Sequence, residues 1–336
     1  MTSIIDKQIK SAPKAAYWRV SPANVLGESA KRLMLVLRTA GCAYAKQTGG
    51  GCTVCGFINH ADESIGDDEI YAQLEQVLSV APMDGVRELD LLTLGSFLND
   101  DEVSPELRER LLTRIAAIDQ LKRVSFESRA EYVTVDKLRR ARSILANVTV
   151  EFGIGLESAD DHIRNVVIRK DLSREQFEGV AECVHQSGSH LLVYLLIKPP
   201  HLSEAEAIGD AVASARYVFE TAQRFNLRAR VAFEPVFICE QTPLERLYKK
   251  SEYRLVNLWS VIEIIRQVHQ SGDIFVGLSD ENLSFDRLPS SCVKCQERLV
   301  AAIEAFNGTQ DYAPLAELDC DCKASWAALV EPGDPA

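Results

Sequence analysis

RLMLVLRTAGCAYAKQTGGGCTVCGF, Arg32 to Phe57, carries the reading that decides the fold. Its first eight residues, Arg32 to Thr39, form a near-continuous apolar run, the pattern of a strand buried on both faces. A loop follows at once, with Cys42, nine residues, Cys52, two residues, and Cys55. In α/β sheets ligands sit beyond the carboxyl ends of the strands, which is where this loop falls. Three thiolates bind three irons of a cubane and leave the fourth iron open. Gly49, Gly50 and Gly51 let the backbone curl where side chains would collide. Two other readings of the same residues stay open: a zinc site completed by His60, and a redox dithiol at Cys52 and Cys55.

Outward from this stretch, strands and helices alternate. Helical patterns cover Asp67–Val80, Pro105–Ile118, Val133–Ile144, Arg174–Gly188, Glu204–Phe225 and Leu255–Gln270. Strand patterns cover Arg87–Gly95, Arg123–Ser128, Asn147–Ser158, His190–Pro200, Leu227–Pro235 and, last, Asp273–Leu278. Ser104 before Pro105 is an N-cap, and Gly188 is a C-cap. Such alternation predicts right-handed βαβ units and a parallel sheet. Six or seven units are fewer than the eight of a closed barrel, so the expected fold is α/β, a partial (β/α)6 barrel. A doubly wound sheet is the alternative. The expected organisation is an N-terminal arm (1–31), the barrel (32–288) and a small cysteine-bearing tail (289–336).

The formal net charge of -12 and the pI of about 5.1 lack the basic footprint of a nucleic-acid binder. They point to a small-molecule substrate. No apolar run is long enough to span a membrane, and the first residues lack the apolar core of a signal peptide. A cytoplasmic location follows as the expectation. Thiols stay reduced there, so nine cysteines need another reason, and seven fall into two tight groups. The second group is Cys292 and Cys295, then Cys320 and Cys322 after a 24-residue gap. Four thiolates suit either a tetrahedral zinc ion or a second 4Fe–4S cluster.

Several motifs in order carry a resemblance. They are GGGCTVCGF (Gly49–Phe57), TLGSFLND (Thr93–Asp100), ESRAEYV (Glu127–Val133) and GLESADDHIR (Gly155–Arg164). YLLIKPP (Tyr194–Pro200), LWSVIEI (Leu258–Ile264), CVKC, LDCDC and Trp326 complete the set. The chain resembles the radical S-adenosylmethionine (SAM) proteins of the archaeosine-synthase type, a branch close to the Elongator-type radical enzymes. That resemblance implies a 4Fe–4S cluster on Cys42, Cys52 and Cys55, with SAM on its open iron and a flavodoxin or ferredoxin as external one-electron reductant. It implies that Phe57, Gly95, Ser96, Glu127, Arg129 and Glu157 surround the cofactors, Arg129 facing a carboxylate.

The chain departs from that family's pattern where substrate binds. EPVFIC (Glu234–Cys239) stands for the family's NPVNVQ, and RKD (Arg169–Asp171) for its NKG. Glu234 and Cys239 are therefore the candidate catalytic residues, and Tyr194 and Lys198 the candidate substrate contacts. The expected activity is reductive SAM cleavage and hydrogen abstraction from a nucleotide-like small molecule. In its sharpest form this is oxygen-to-sulfur exchange in natural-product biosynthesis, with the tail as an auxiliary cluster. The alternatives are an archaeosine-type carbon–nitrogen lyase on tRNA and a non-catalytic zinc-binding scaffold.

Overall fold

A computed structural model describes residues 15, 17–278 and 287–331. The rest of the expected N-terminal arm (1–14 and 16), and residues 279–286 and 332–336, lie outside the described residues. The chain divides into two compact units. One takes in residues up to Gly51, Gly56–Ile154 and Gln176–Leu192. The other takes in Cys52–Cys55, Gly155–Glu175 and the chain from Val193 onward.

The elements run β1 (Tyr17–Val25), β2 (Glu28–Leu37), α1 (Ala43–Thr48), α2 (Asp67–Val80), β3 (Val86–Thr93), α3 (Pro105–Ala116), β4 (Arg123–Glu127) and α4 (Val135–Ile144). They continue with β5 (Thr149–Glu157), α5 (Arg174–Ser187), β6 (His190–Ile197), α6 (Glu204–Arg224), β7 (Ala229–Pro235), α7 (Pro243–Lys249), α8 (Leu258–Val268) and β8 (Asp273–Val276). The tail holds α9 (Gln296–Thr309), α10 (Ala313–Ala316) and α11 (Cys322–Val330). The strands follow one another in sequence order across the sheet. Pairs β2–β3, β3–β4, β4–β5 and β7–β8 are parallel. Six β/α units from β2 to α8 give the α/β class expected of the sequence.

One element was not legible. Tyr17–Val25, read as arm, is a strand paired antiparallel with β2 from Tyr17↔Val36 to Val25↔Glu28. Its hairpin turns on Leu26 (φ 55°) and Gly27 (φ 92°), and Asn24 Oδ1 accepts the Gly27 N–H at 3.0 Å. Left-handed angles at both turn positions mark the hairpin type whose twist suits the strands, and leucine there is no turn signal.

Two-residue periodicity explains what each face of the sheet carries. Leu33, Leu35 and Leu37 of β2 are fully buried on one face. Phe126 of β4 packs on Phe97 at 5.0 Å and on Phe152 of β5 at 6.1 Å. The opposite face is polar along part of its length yet equally buried. Register sets Glu88 beside Arg123, and Asp90 beside Ser125, which lies beside Glu151. Arg123 closes an ion pair on Glu88, Arg32 reaches Asp90 at 2.8 Å, and Ser125 Oγ donates to Asp90 at 2.5 Å. Buried charges survive only when so paired. Followed along the same face, these rows end at Glu127 and Glu157, two of the residues that the sequence nominates.

Candidate functional site

The residues just after Cys42 shape the cysteine loop. Cys42 is the N-cap of α1, its carbonyl accepting the Lys46 N–H at 3.1 Å. Gly49, Gly50 and Gly51 then take φ of 69°, 147° and 72°, where any side chain would be strained. Gly51 also faces Ala45 so closely that a Cβ would stand 2.9 Å from the Ala45 methyl. Cys52 and Cys55 sit in one turn, the Cys55 N–H reaching the Cys52 carbonyl at 3.2 Å. Thr53 between them is pinned: its N–H donates to Ile168 O and its hydroxyl to Val167 O, both at 2.8 Å. Val54 packs on Val236, Ile238, Leu244 and Tyr253. All three thiols are half-buried. His60 closes a short turn that Phe57 opens, and Phe57 packs on Met34, Val36, Leu92 and Leu94. Burial first, and Arg38 second, hold the His60 imidazole below its ordinary pKa.

The ends of β3 and β4 meet this loop through a carboxylate that the sequence did not mark. Glu102 accepts the Ala43 N–H at 2.9 Å, the Ser96 N–H at 2.6 Å and the Asn99 side-chain N–H at 2.9 Å. It is only 8% exposed. Gly95 is small because a Cβ there would run into the Glu102 carboxylate and come within 2.9 Å of Cys42 Cα. Ser96 is fully buried, and its hydroxyl accepts the Arg129 N–H at 3.2 Å. The Glu127 carbonyl accepts the Phe97 N–H at 3.0 Å. The Arg129 guanidinium lies 3.9 Å from the Tyr44 ring centroid and donates to Glu131 at 2.6 Å. Ser96, Arg129 and the residue after Cys42 thus share one hydrogen-bonded framework, and Gly95 leaves room for the Glu102 carboxylate.

The later strands end in left-handed backbone. Glu157 (φ 66°) closes β5 and Lys198 (φ 62°) follows β6. For residues with a Cβ such angles cost about 1–3 kcal/mol and collect at functional sites. Glu157 pairs with Lys170 at 2.6 Å, and Gly155 is bare because its Cβ would strike both. Arg169 and Asp171, flanking Lys170, are left-handed too. Lys198 is 6% exposed and pairs with Glu204 at 2.9 Å, while its carbonyl accepts the Tyr253 hydroxyl at 2.7 Å. Burial pushes the Tyr253 phenol far above its ordinary pKa. Tyr194 is half-buried on β6. Glu234, near the end of β7, packs its carboxylate over Gly277 beyond β8. Cys239 is buried, and its carbonyl accepts the hydroxyl of Thr242, the N-cap of α7.

No protein-family model matches the chain. Relatives match along almost its whole length. The archaeosine synthase subunit beta of Methanosarcina acetivorans is 32% identical over 91% of this chain and 87% of its own length. That of Thermococcus kodakarensis is 30% identical over 94% and 97%. The chain belongs to the archaeosine-synthase-type branch of the radical SAM enzymes. Its fold is also that of two solved structures, each with a TM-score of 0.50. The archaeal Methanocaldococcus infernus Elp3 with an N-terminal deletion is 15% identical, with 80% of this chain and 63% of that one aligned. A radical SAM methyltransferase from Sphaerobacter thermophilus is 11% identical, with 78% and 73% aligned.

The residues fit the cofactors of radical SAM enzymes. Three soft thiolates on a loop whose glycines take left-handed backbone are the kind of donor set that suits a cluster with one open iron. A methionine-type carboxylate and ammonium need cations and hydrogen-bond acceptors; Arg129, Glu127 and Glu157 are groups of that kind, each at or just after a strand end.

The second cysteine group is tighter. Cys292, Cys295, Cys320 and Cys322 bring their sulfurs all within 4.8 Å of one another. The separations are 3.5 Å (Cys292–Cys295), 3.6 Å (Cys292–Cys320) and 3.6 Å (Cys295–Cys322). The Trp259 indole N–H donates to Cys322 Sγ at 3.3 Å. Burial raises the Cys322 thiol, but hydrogen bonds from Trp259 and its neighbours outweigh it and bring the thiol to about 6. Burial leads the causes that push Cys295 up to about 12. The sequence does not mark Glu102, Tyr44 or Glu204. Each acts on a partner distant in the chain or inside an acidic run, where no local pattern marks it.

Proposed function

We propose that the chain cleaves SAM reductively and removes a hydrogen atom from a nucleoside-like small molecule. The observation that carries the reading is the three-thiolate loop, seated by Glu102 against Gly95 and Ser96, in a chain related along its length to archaeosine synthase subunit beta. The cluster, when bound, supplies the electron that turns SAM into methionine and a 5′-deoxyadenosyl radical. The protein's own residues bind and orient. Arg129, braced between Tyr44 and Glu131, presents a fixed cation to the SAM carboxylate. Glu127 and Glu157 offer acceptors to the ammonium or the ribose hydroxyls. Tyr194 and Lys198, on and just after β6, and Glu234 and Cys239, on and after β7, are assigned to the substrate side. Holding the carbon that loses hydrogen in near contact is what these rigid strand ends contribute.

A net charge of -12 favours a free small molecule over tRNA, as do Glu234 and Cys239 in the rewritten EPVFIC segment. Oxygen-to-sulfur exchange would draw on a sulfide-bearing cluster in the tail. Three pairs of the tail's sulfurs lie 3.5–3.6 Å apart and all four lie within 4.8 Å of one another, which does not favour a cluster, so the proposed reaction stops at hydrogen abstraction. The test is SAM turnover under anaerobic reducing conditions, with a panel of free nucleosides and nucleotides in one arm and tRNA in the other. Formation of 5′-deoxyadenosine stimulated at least 10-fold by a free nucleoside or nucleotide supports the proposal. Stimulation by tRNA alone overturns it in favour of the lyase reading.

A further inference from the structure

We infer that the tail is a clasp: its four thiolates hold one zinc ion, and through Trp326, Ser260 and Glu204 that ion fixes Lys198 at the end of β6. Geometry decides the metal. Four sulfurs arranged tetrahedrally about one zinc, each about 2.3 Å from it, lie about 3.8 Å apart. A 4Fe–4S cubane places its irons between the sulfurs and spreads them to roughly 6 Å. The observed separations of 3.5, 3.6 and 3.6 Å, with every pair inside 4.8 Å, match the single ion. All four positions are taken by protein thiolates, as in structural sites.

The ion's surroundings show what it fastens. Cys322 begins α11, and four residues on, Trp326 donates its indole N–H to Ser260 Oγ at 2.7 Å. Ser260 Oγ in turn donates to Glu204 Oε2 at 2.6 Å. Glu204 Oε1 takes Lys198 Nζ at 2.9 Å and the Asn257 N–H at 3.2 Å. A separate set of contacts ties the same helix start to the metal site. Trp259 meets Cys322, Lys323 Nζ lies 5.0 Å from the Trp259 ring centroid, and the Leu258 N–H reaches Ser290 O at 3.2 Å. Ser260, Glu204, Lys198, Trp259 and Trp326 are all buried. In a buried polar chain each member relies on the next, because a bare partner costs about 1–3 kcal/mol. Glu204 is therefore a positioning residue: it turns a left-handed, buried lysine into a fixed one.

The inference is independent of which substrate the enzyme takes. The full chain is purified, its metals are counted, and hydrogen exchange is followed over residues 194–204 and 86–93 before and after zinc chelation. The expected results are one zinc per chain as purified and four irons after anaerobic reconstitution. Chelation should then speed exchange at least 10-fold in 194–204 and leave 86–93 unchanged. Trp326→Phe keeps the ring and loses the N–H. It should retain zinc and the parent's circular dichroism yet show the same local loosening. About eight irons per chain falling to four in Cys292→Ser, or a lone iron in place of zinc, overturns the metal assignment. Unchanged exchange in 194–204 after chelation and in Trp326→Phe overturns the clasp.

Discussion

The chain's two cysteine groups use the same side chain to opposite ends. In the loop, three half-buried thiols flank backbone that only glycine tolerates, and Glu102 ties the loop's start to the residues just after β3. In the tail, four thiols converge within 4.8 Å, take an indole N–H and lie against helix α8. Three ligands leave a metal position open for chemistry, and four close it. The count of thiolates, with the room between them, separates a reacting centre from a fastening one.

The contrast can be broken at its loop side first. Gly95→Ala places a methyl against the Glu102 carboxylate and Cys42 Cα. The loop must shift, and misplacement on the ångström scale costs about 100-fold in rate. 5′-Deoxyadenosine formation should fall by that order, while the zinc content stays at the parent's value. A parent-like rate would mean that Glu102 does not set the loop.

A second prediction uses helix α6 as its own control. Glu204, at its start, is bonded on both oxygens, but Asp210 is not. Among the described residues, Asp210 Oδ2 is buried with no partner, while Oδ1 accepts the Ser158 hydroxyl at 2.6 Å. Burial, against the Ser158 bond and with help from Asp160, lifts this carboxyl from 3.8 to about 6. The folded state therefore holds its proton longer than the unfolded chain. Stability is unaffected below pH 3.8, falls as pH rises toward 6, and stays lowered above it. Asp210→Asn removes this dependence. Urea unfolding should show the variant gaining on the parent by up to about 3 kcal/mol between pH 3 and pH 7.5. A constant difference across that range would refute the assignment.

Much of this could be read before any coordinates. The helix over Asp67–Val80, the cap at Ser104 and the stop at Gly188 are where the patterns put them. Those features depend on residues close in sequence, where periodicity and capping chemistry speak directly. The strand Tyr17–Val25, with Pro22 inside it, carries no clear strand pattern of its own, and its pairing with β2 makes it a strand. The site was legible as a list of cysteines and strand-end charges. Its wiring was not, since Glu102 meets Ala43 across 59 residues and Trp326 meets Ser260 across 66. Nor did the spacing of the tail cysteines reveal how close the four sulfurs come.

The central claim is that Cys42, Cys52 and Cys55 form the reacting centre. The direct measurement is 5′-deoxyadenosine released from SAM by the parent and by a Cys42→Ala, Cys52→Ala, Cys55→Ala variant, both reconstituted and reduced without oxygen. Product is expected from the parent and only the blank level from the variant, with circular dichroism and zinc content unchanged. Product from the variant at the parent's rate would contradict it.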